Sequence, residues 1–129
     1  MKLNPNCIKD ILTVFESIVC QAGTTYEISS WNDLAEHEML RKYSPDEIGY
    51  HCQQIYLSGY LYNGKMLIQG GISFMDLMPE AHAFLANLRV PAVLNAVQKF
   101  VSTVGGASLN QMATIASEMA ISYLPQLLK

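Results

Sequence analysis

Charge is the scarcest ingredient of this 129-residue chain: 15% of its residues are Asp, Glu, Lys or Arg, against 50% that are apolar. Eight basic and eleven acidic residues leave a net charge of −3, which excludes a strongly basic nucleic-acid binder. The chain is also too apolar, and too little charged, to be disordered. Cysteine is sparse and odd in number. Cys7, Cys20 and Cys52 rule out a disulfide scaffold and fit free core thiols in a reducing compartment, so a cytoplasmic protein is expected. No apolar run reaches the roughly 18 residues of a membrane-spanning helix. The opening Met1-Lys2-Leu3-Asn4-Pro5 meets Lys9 and Asp10 before a signal-peptide core could form. No internal repeat or low-complexity segment is present.

Motifs of catalysis are missing too. The glycine pairs 70–71 and 105–106 lack the Gly-Lys-Ser/Thr of a phosphate-binding loop. His37-Glu38 is followed by Met-Leu-Arg and no second histidine, so the zinc-protease motif is not formed. No Cys-x-x-Cys and no glycine-flanked serine or cysteine nucleophile occurs. His51 and His82 lack further ligands at metal-binding spacing, and each reads as a histidine bonded to backbone or to a carboxylate. Catalytic, cofactor-binding and metal-ligating residues are therefore not expected, and the chain is not read as an enzyme.

What is present is unevenly spread. Residues 1–80 carry a balance of −5, whereas residues 81–129 hold Arg89, Lys99 and Lys129 against Glu118 alone. So apolar a last third needs a cover. Asn4-Pro5 predicts a helix start, and Ile8, Ile11, Leu12, Phe15, Ile18 and Val19 form a 3.6-residue stripe that should end at Ala22-Gly23. A strand is expected over residues 24–28. Ser30 and Asp33 resemble a capping box opening a helix to about Tyr43. Ser44-Pro45-Asp46-Glu47 starts a helix more firmly, stopped by Gly59. Asn63-Gly64 between two apolar β-formers predicts a hairpin of residues 60–62 with 65–68, its two-residue turn needing φ > 0 twice. Residues 72–74 should resume the second strand after a bulge at Gly70-Gly71. Helices are then expected from Pro79, from Pro91 to Gly105, and from Ser108 to about Leu124, where Pro125 ends the last or frays its final turn.

Helix, strand, helix, helix, strand, strand is the order of a winged helix-turn-helix. The fold class is thus α+β, mainly α: a winged-helix domain over residues 1–89 and a two-helix apolar tail over 90–129.

Two stretches add a resemblance. Residues 43–61, with Tyr43-Ser44-Pro45-Asp46-Glu47-Ile48 and Tyr50-His51-Cys52, and residues 72–85, with Pro79-Glu80-Ala81-His82-Ala83-Phe84-Leu85, are similar to motifs of the DUF2513-type family of short bacterial and prophage proteins. The Met1–Phe15 segment and Gly105-Gly106-Ala107-Ser108-Leu109 resemble its first helix and its tail. The chain departs from the family at Met78-Pro79, where a tryptophan is usual, and in its uncharged tail. The resemblance implies a winged fold with a helical tail; the family carries no established activity, so function stays open.

On that fold the 44–57 helix holds the place of a recognition helix. Arg41, Lys42, Tyr50, Gln53, Gln54 and Lys65 are its candidate duplex-DNA contacts. Asp46 and Glu47 repel phosphate, and three cations are a thin footprint. A small regulatory protein that contacts other proteins, of the kind prophages encode, is the leading reading, with a DNA-binding regulator as the alternative. The last helix faces its own chain with Leu109, Met112, Ala116, Met119 and Tyr123. Ile115 and Ile121 lie off that stripe, so a homodimer contact through Ile115, Met119 and Ile121 is expected, and no membrane attachment.

Overall fold

The computed structural model describes residues 1–127, and the side chains of residues 1–122. Its elements, in chain order, are α1 (Pro5–Ile18), β1 (Tyr26–Ile28), α2 (Trp31–Ala35), a 3-10 turn (Glu38–Leu40), α3 (Pro45–Leu57), β2 (Leu61–Tyr62), β3 (Lys65–Met66), β4 (Ile72–Phe74), β5 (Asp76–Leu77), α4 (Pro79–Leu88), α5 (Pro91–Val104) and α6 (Leu109–Leu127). The chain is mainly helical, with small antiparallel sheets.

Helix starts follow the sequence signals closely. The Asn4 side chain accepts from the Asn6 N–H and Pro5 occupies the first position of α1. Ser44 does the same for the Glu47 N–H at α3, again followed by proline. Helix ends follow less well. α1 stops at Ile18, four residues before Ala22. The Tyr26 hydroxyl takes the N–H groups of Cys20 and Gln21 at 3.0 and 2.9 Å, giving these donors a partner outside a helix. The helix expected from Ser30 to Tyr43 is broken after Ala35. Leu34 and Leu40 are both buried, yet six residues apart they fall on different sides of a continuous helix. The break at Glu36-His37 turns both inward. The last helix runs past Pro125 to Leu127, and does not end there.

The expected hairpin is not the one that forms. β2 does not pair with β3. It pairs with β5, Leu61 opposite Leu77 and Tyr62 opposite Asp76, while β3 pairs with β4, Lys65 opposite Ser73 and Met66 opposite Ile72. Residues 65–66 and 72–74 are thus two antiparallel strands, not one strand with a bulge. The reversal sits at residues 67–71, closed by the Leu67 N–H on the Gly71 carbonyl and the Gly70 N–H on the Leu67 carbonyl, both 3.1 Å. Gly70 and Gly71 supply the positive φ angles, 90° and 147°. At Asn63-Gly64 only Asn63 has positive φ, 50°, so no two-residue primed turn forms. The reason lies in burial. Pairing β4 between β3 and β1 places Ile72 and Phe74 in the core, with Phe74 4.5 Å from Phe15 of α1 between ring centroids. Gly64 keeps a role, because a Cβ there would lie 2.8 Å from the Leu61 Cβ. Gly64→Val should destabilise by about 2 kcal/mol through this overlap, checked by urea unfolding; a neutral substitution would refute the packing of this connection.

Both segments of the chain share one core. Ile8, Ile11 and Phe15 of α1, Ile48, Cys52 and Ile55 of α3, and Leu85 and Leu88 of α4 join Val93 and Val97 of α5 and Leu109, Met112 and Ala116 of α6. The expected boundary at residues 89 and 90 falls between α4 and α5, and the tail covers the same core that α1 and α4 build.

Candidate functional site

α3 turns Ile48, His51, Cys52 and Ile55 inward and leaves Asp46, Gln53 and Leu57 exposed, with Tyr50 and Gln54 half-buried. Gly49 faces α2: a Cβ there would stand 2.7 Å from Trp31 Nε1, so the indole lies directly on the helix backbone. The same nitrogen is 3.5 Å from where a Cβ on Gly70 would be. Trp31 therefore touches both α3 and the turn of the β3–β4 hairpin, and β3 packs on α3.

The six expected nucleic-acid residues divide on this frame. Gln53 and Lys65 are exposed on α3 and β3. Tyr50 packs edge-on to His51, 5.2 Å between centroids, and lines a hollow with Met1–Leu3 and Gly105–Ala107. It thus belongs to the junction of the N-terminus with the α5–α6 connection. Lys42 is drawn to α1, its Nζ 3.2 Å from Asp10 Oδ2 and 5.4 Å from the Tyr43 ring. Tyr43 donates its hydroxyl to the same Asp10 oxygen at 2.7 Å. Arg41 turns its Nε toward the Glu36 carbonyl at 3.3 Å. Gln54 stays half-buried. Around α3 and the hairpin, the other exposed side chains include polar Asp46, Asn63 and Gln69 together with apolar or aromatic Leu57 at 65%, Tyr56, Tyr62, and Ile68, which is fully exposed at the hairpin turn. Sequence reasoning missed Ile68 because it was placed inside a strand; Gly70-Gly71 read as the turn would have put it at the tip.

His51, Cys7 and Cys52 lie in the core. His51 is fully buried. Its Nε2 accepts from the Asn4 N–H at 2.9 Å, and its Nδ1 donates to the Glu47 carbonyl at 2.7 Å. Those two partners require the neutral ring, protonated on Nδ1. Burial holds its pKa below the ordinary value, against the opposing pull of the Glu47 carbonyl and carboxylate. His82 is half-exposed between two carboxylates, 3.4 Å from Glu16 Oε2 and 3.4 Å from Asp76 Oδ1, while Arg89 holds the other Glu16 oxygen at 2.9 Å. Burial pushes the Cys7 thiol up to about 12, and Cys52 well above its usual range, so neither is a thiolate at neutral pH. Cys20 is not a core thiol: it is exposed, its Sγ 3.5 Å from the Tyr26 hydroxyl. Among the described residues no three His, Cys, Asp or Glu side chains are placed to share a metal ion.

The tail folds back. Ile115 and Met119 pack half-buried against their own chain, and Ile121 is 69% exposed. Tyr123 lies outside the described side chains. No helix among the described residues is long and apolar enough to cross a membrane. The chain has no significant match among protein-family models, curated proteins or solved structures.

Proposed function

We propose that this chain is a non-catalytic regulatory protein built on a winged helix, related to the DUF2513-type proteins and acting through contacts with other proteins. The fold part of this reading rests on the element order from α1 to β4 and on the sheet order β1-β4-β3, with the β3–β4 hairpin as wing beside α3. The function part rests on one observation. The outer face of α3 carries no cation and, with β2 and the hairpin, exposes Leu57, Tyr62 and Ile68 beside Gln53 and the single cation Lys65, where a reader of DNA places several cations. An exposed apolar set of this kind marks a protein contact. A photoreactive side chain at position 68 should give discrete protein adducts in the host cell, and one at exposed Lys99 should not. Nucleic-acid adducts, or none, would refute it.

Lys65 carries the second reading, a DNA-binding regulator, since it is exposed on the wing. That reading requires retardation of random-sequence duplex at low salt, falling steeply as salt rises and weakened by Lys65→Glu. No retardation at high protein concentration is the expected result.

A homodimer through α6 belongs to the same proposal. Exposed Ile121 is its centre, because Ile115 and Met119 are partly used within the chain. Sedimentation should show a dimer that Ile121→Glu converts to monomer. A concentration-independent monomer for the unaltered chain would remove this part alone.

A further inference from the structure

A groove of about 590 Å³ opens where the end of α3, the start of α4 and the middle of α6 converge. Two carboxylates border it, Glu80 of α4 and Glu118, the only charged residue of α6. Both are exposed, and among the described residues neither makes an ion pair. No cationic side chain lines the groove.

Tyr60 is the second observation. It lines the groove, it is 5% exposed, and its ring packs edge-on to Phe84 at 6.0 Å. Among the described residues its hydroxyl has no hydrogen-bond partner, while no fully enclosed side-chain nitrogen or oxygen lacks one. The hydroxyl therefore keeps solvent access, and on this groove-lining residue it can exchange a hydrogen bond with whatever enters. The Glu80 carboxylate reaches it electrostatically: after burial, Glu80 is what raises the Tyr60 pKa. Asn110 and Ser117 add polar groups from α6, and Met78 and Ala113 an apolar wall. Ser58 and Gly59, which follow the C-terminal end of α3, line the same space. The positive pole at the start of α4 is offset by Glu80 in its first turn.

We infer that this groove binds an alkylammonium or guanidinium group, with Glu80 and Glu118 as counter-charges, Tyr60 as acceptor and Met78 against the alkyl stem. A lysine or arginine side chain on a partner segment and a free diamine share this chemistry. The inference stands on the groove alone and is independent of how α3 and the wing are read.

Amide chemical-shift titration of the full chain tests it, with 1,5-diaminopentane and a blocked Ala-Lys-Ala peptide as probes. At least one should move Gly59, Asn110 and Ser117 saturably, and neutral 1,5-pentanediol should not. Stronger binding of the peptide assigns a protein segment as the source; stronger binding of the diamine assigns a small amine. The Glu80→Gln/Glu118→Gln double variant should weaken binding at least tenfold, and Tyr60→Phe several-fold. The Glu36→Gln/Glu38→Gln variant, with the same charge removed elsewhere, should bind as the unaltered chain does. Absence of shifts with both probes, equal shifts with the diol, or equal loss in both double variants would overturn the inference.

Discussion

Gly71→Ala should be among the most damaging single substitutions in this chain, with a cost of about 3–5 kcal/mol. Two effects combine at this position. Its φ of 147° is a conformation that side chains strain to adopt, worth about 1–3 kcal/mol. A Cβ there would also press into the Ile28 carbonyl oxygen and stand 2.9 Å from the Ser29 carbonyl carbon. Both are backbone atoms of the neighbouring strand end, which cannot rotate aside, so overpacking adds about 1–3 kcal/mol. Against a typical total stability of about 5–15 kcal/mol, such a variant is near the limit of folding. Gly105→Ala is the matched control. Gly105 ends α5 at φ 77°, with nothing within 4 Å of where its methyl group would stand, so it should cost only about 1 kcal/mol. Urea unfolding of the two variants checks this. A Gly71→Ala variant as stable as Gly105→Ala would show that β1 and β4 do not approach as described.

His51→Ala should lose about 3 kcal/mol at neutral pH, because it empties a fully buried site and leaves the Asn4 N–H without its acceptor. Its pH dependence is more diagnostic. The neutral ring is the form that fits between the Asn4 N–H and the Glu47 carbonyl, and burial depresses the folded-state pKa below 6.5. At pH above that ordinary value both folded and unfolded chains hold a neutral ring, and the His51 contribution is complete. As pH falls below about 6.5 the unfolded chain takes up a proton that the folded chain refuses, so stability declines until the folded-state pKa is reached. Glu16 acts in a separate window. Its hydrogen bond from Arg89, opposed by partial burial, lowers its pKa below 4.5, so its contribution fades only in more acid solution. Between pH 8 and pH 5, by this account, the stability difference between the unaltered chain and His51→Ala should shrink as pH falls. A constant difference would refute the assignment of the neutral ring.

How much of this was legible in the sequence depends on the range of the interaction responsible. The starts of α1 and α3 were legible because Asn4-Pro5 and Ser44-Pro45 act within one turn. The α5–α6 connection followed from Gly105 for the same reason. The hairpin was misread because Asn63-Gly64 and Gly70-Gly71 both permit positive φ. The choice between them was made by Phe74 packing against Phe15, a contact no local rule contains. The interaction face was half legible. Gln53 and Lys65 are where helix and strand periodicity put them, but Lys42 is held by Asp10 and Tyr50 by the N-terminus, both distant in the chain. The groove was illegible: Tyr60, Glu80 and Glu118 share no motif and meet only because α6 returns across the ends of α3 and α4.

Trp31 is the only tryptophan in the chain, and its indole lies against the backbones of Gly49 and Gly70 at once. The protein thus carries a built-in optical reporter where α2, α3 and the hairpin turn meet. Tyrosine emission aside, the fluorescence of the whole molecule reports the environment of this one joint. Occupancy of the α3 and hairpin face would therefore alter emission directly, whereas a ligand at the α6 groove would leave it nearly unchanged. The two surfaces can be told apart in one cuvette, without a label.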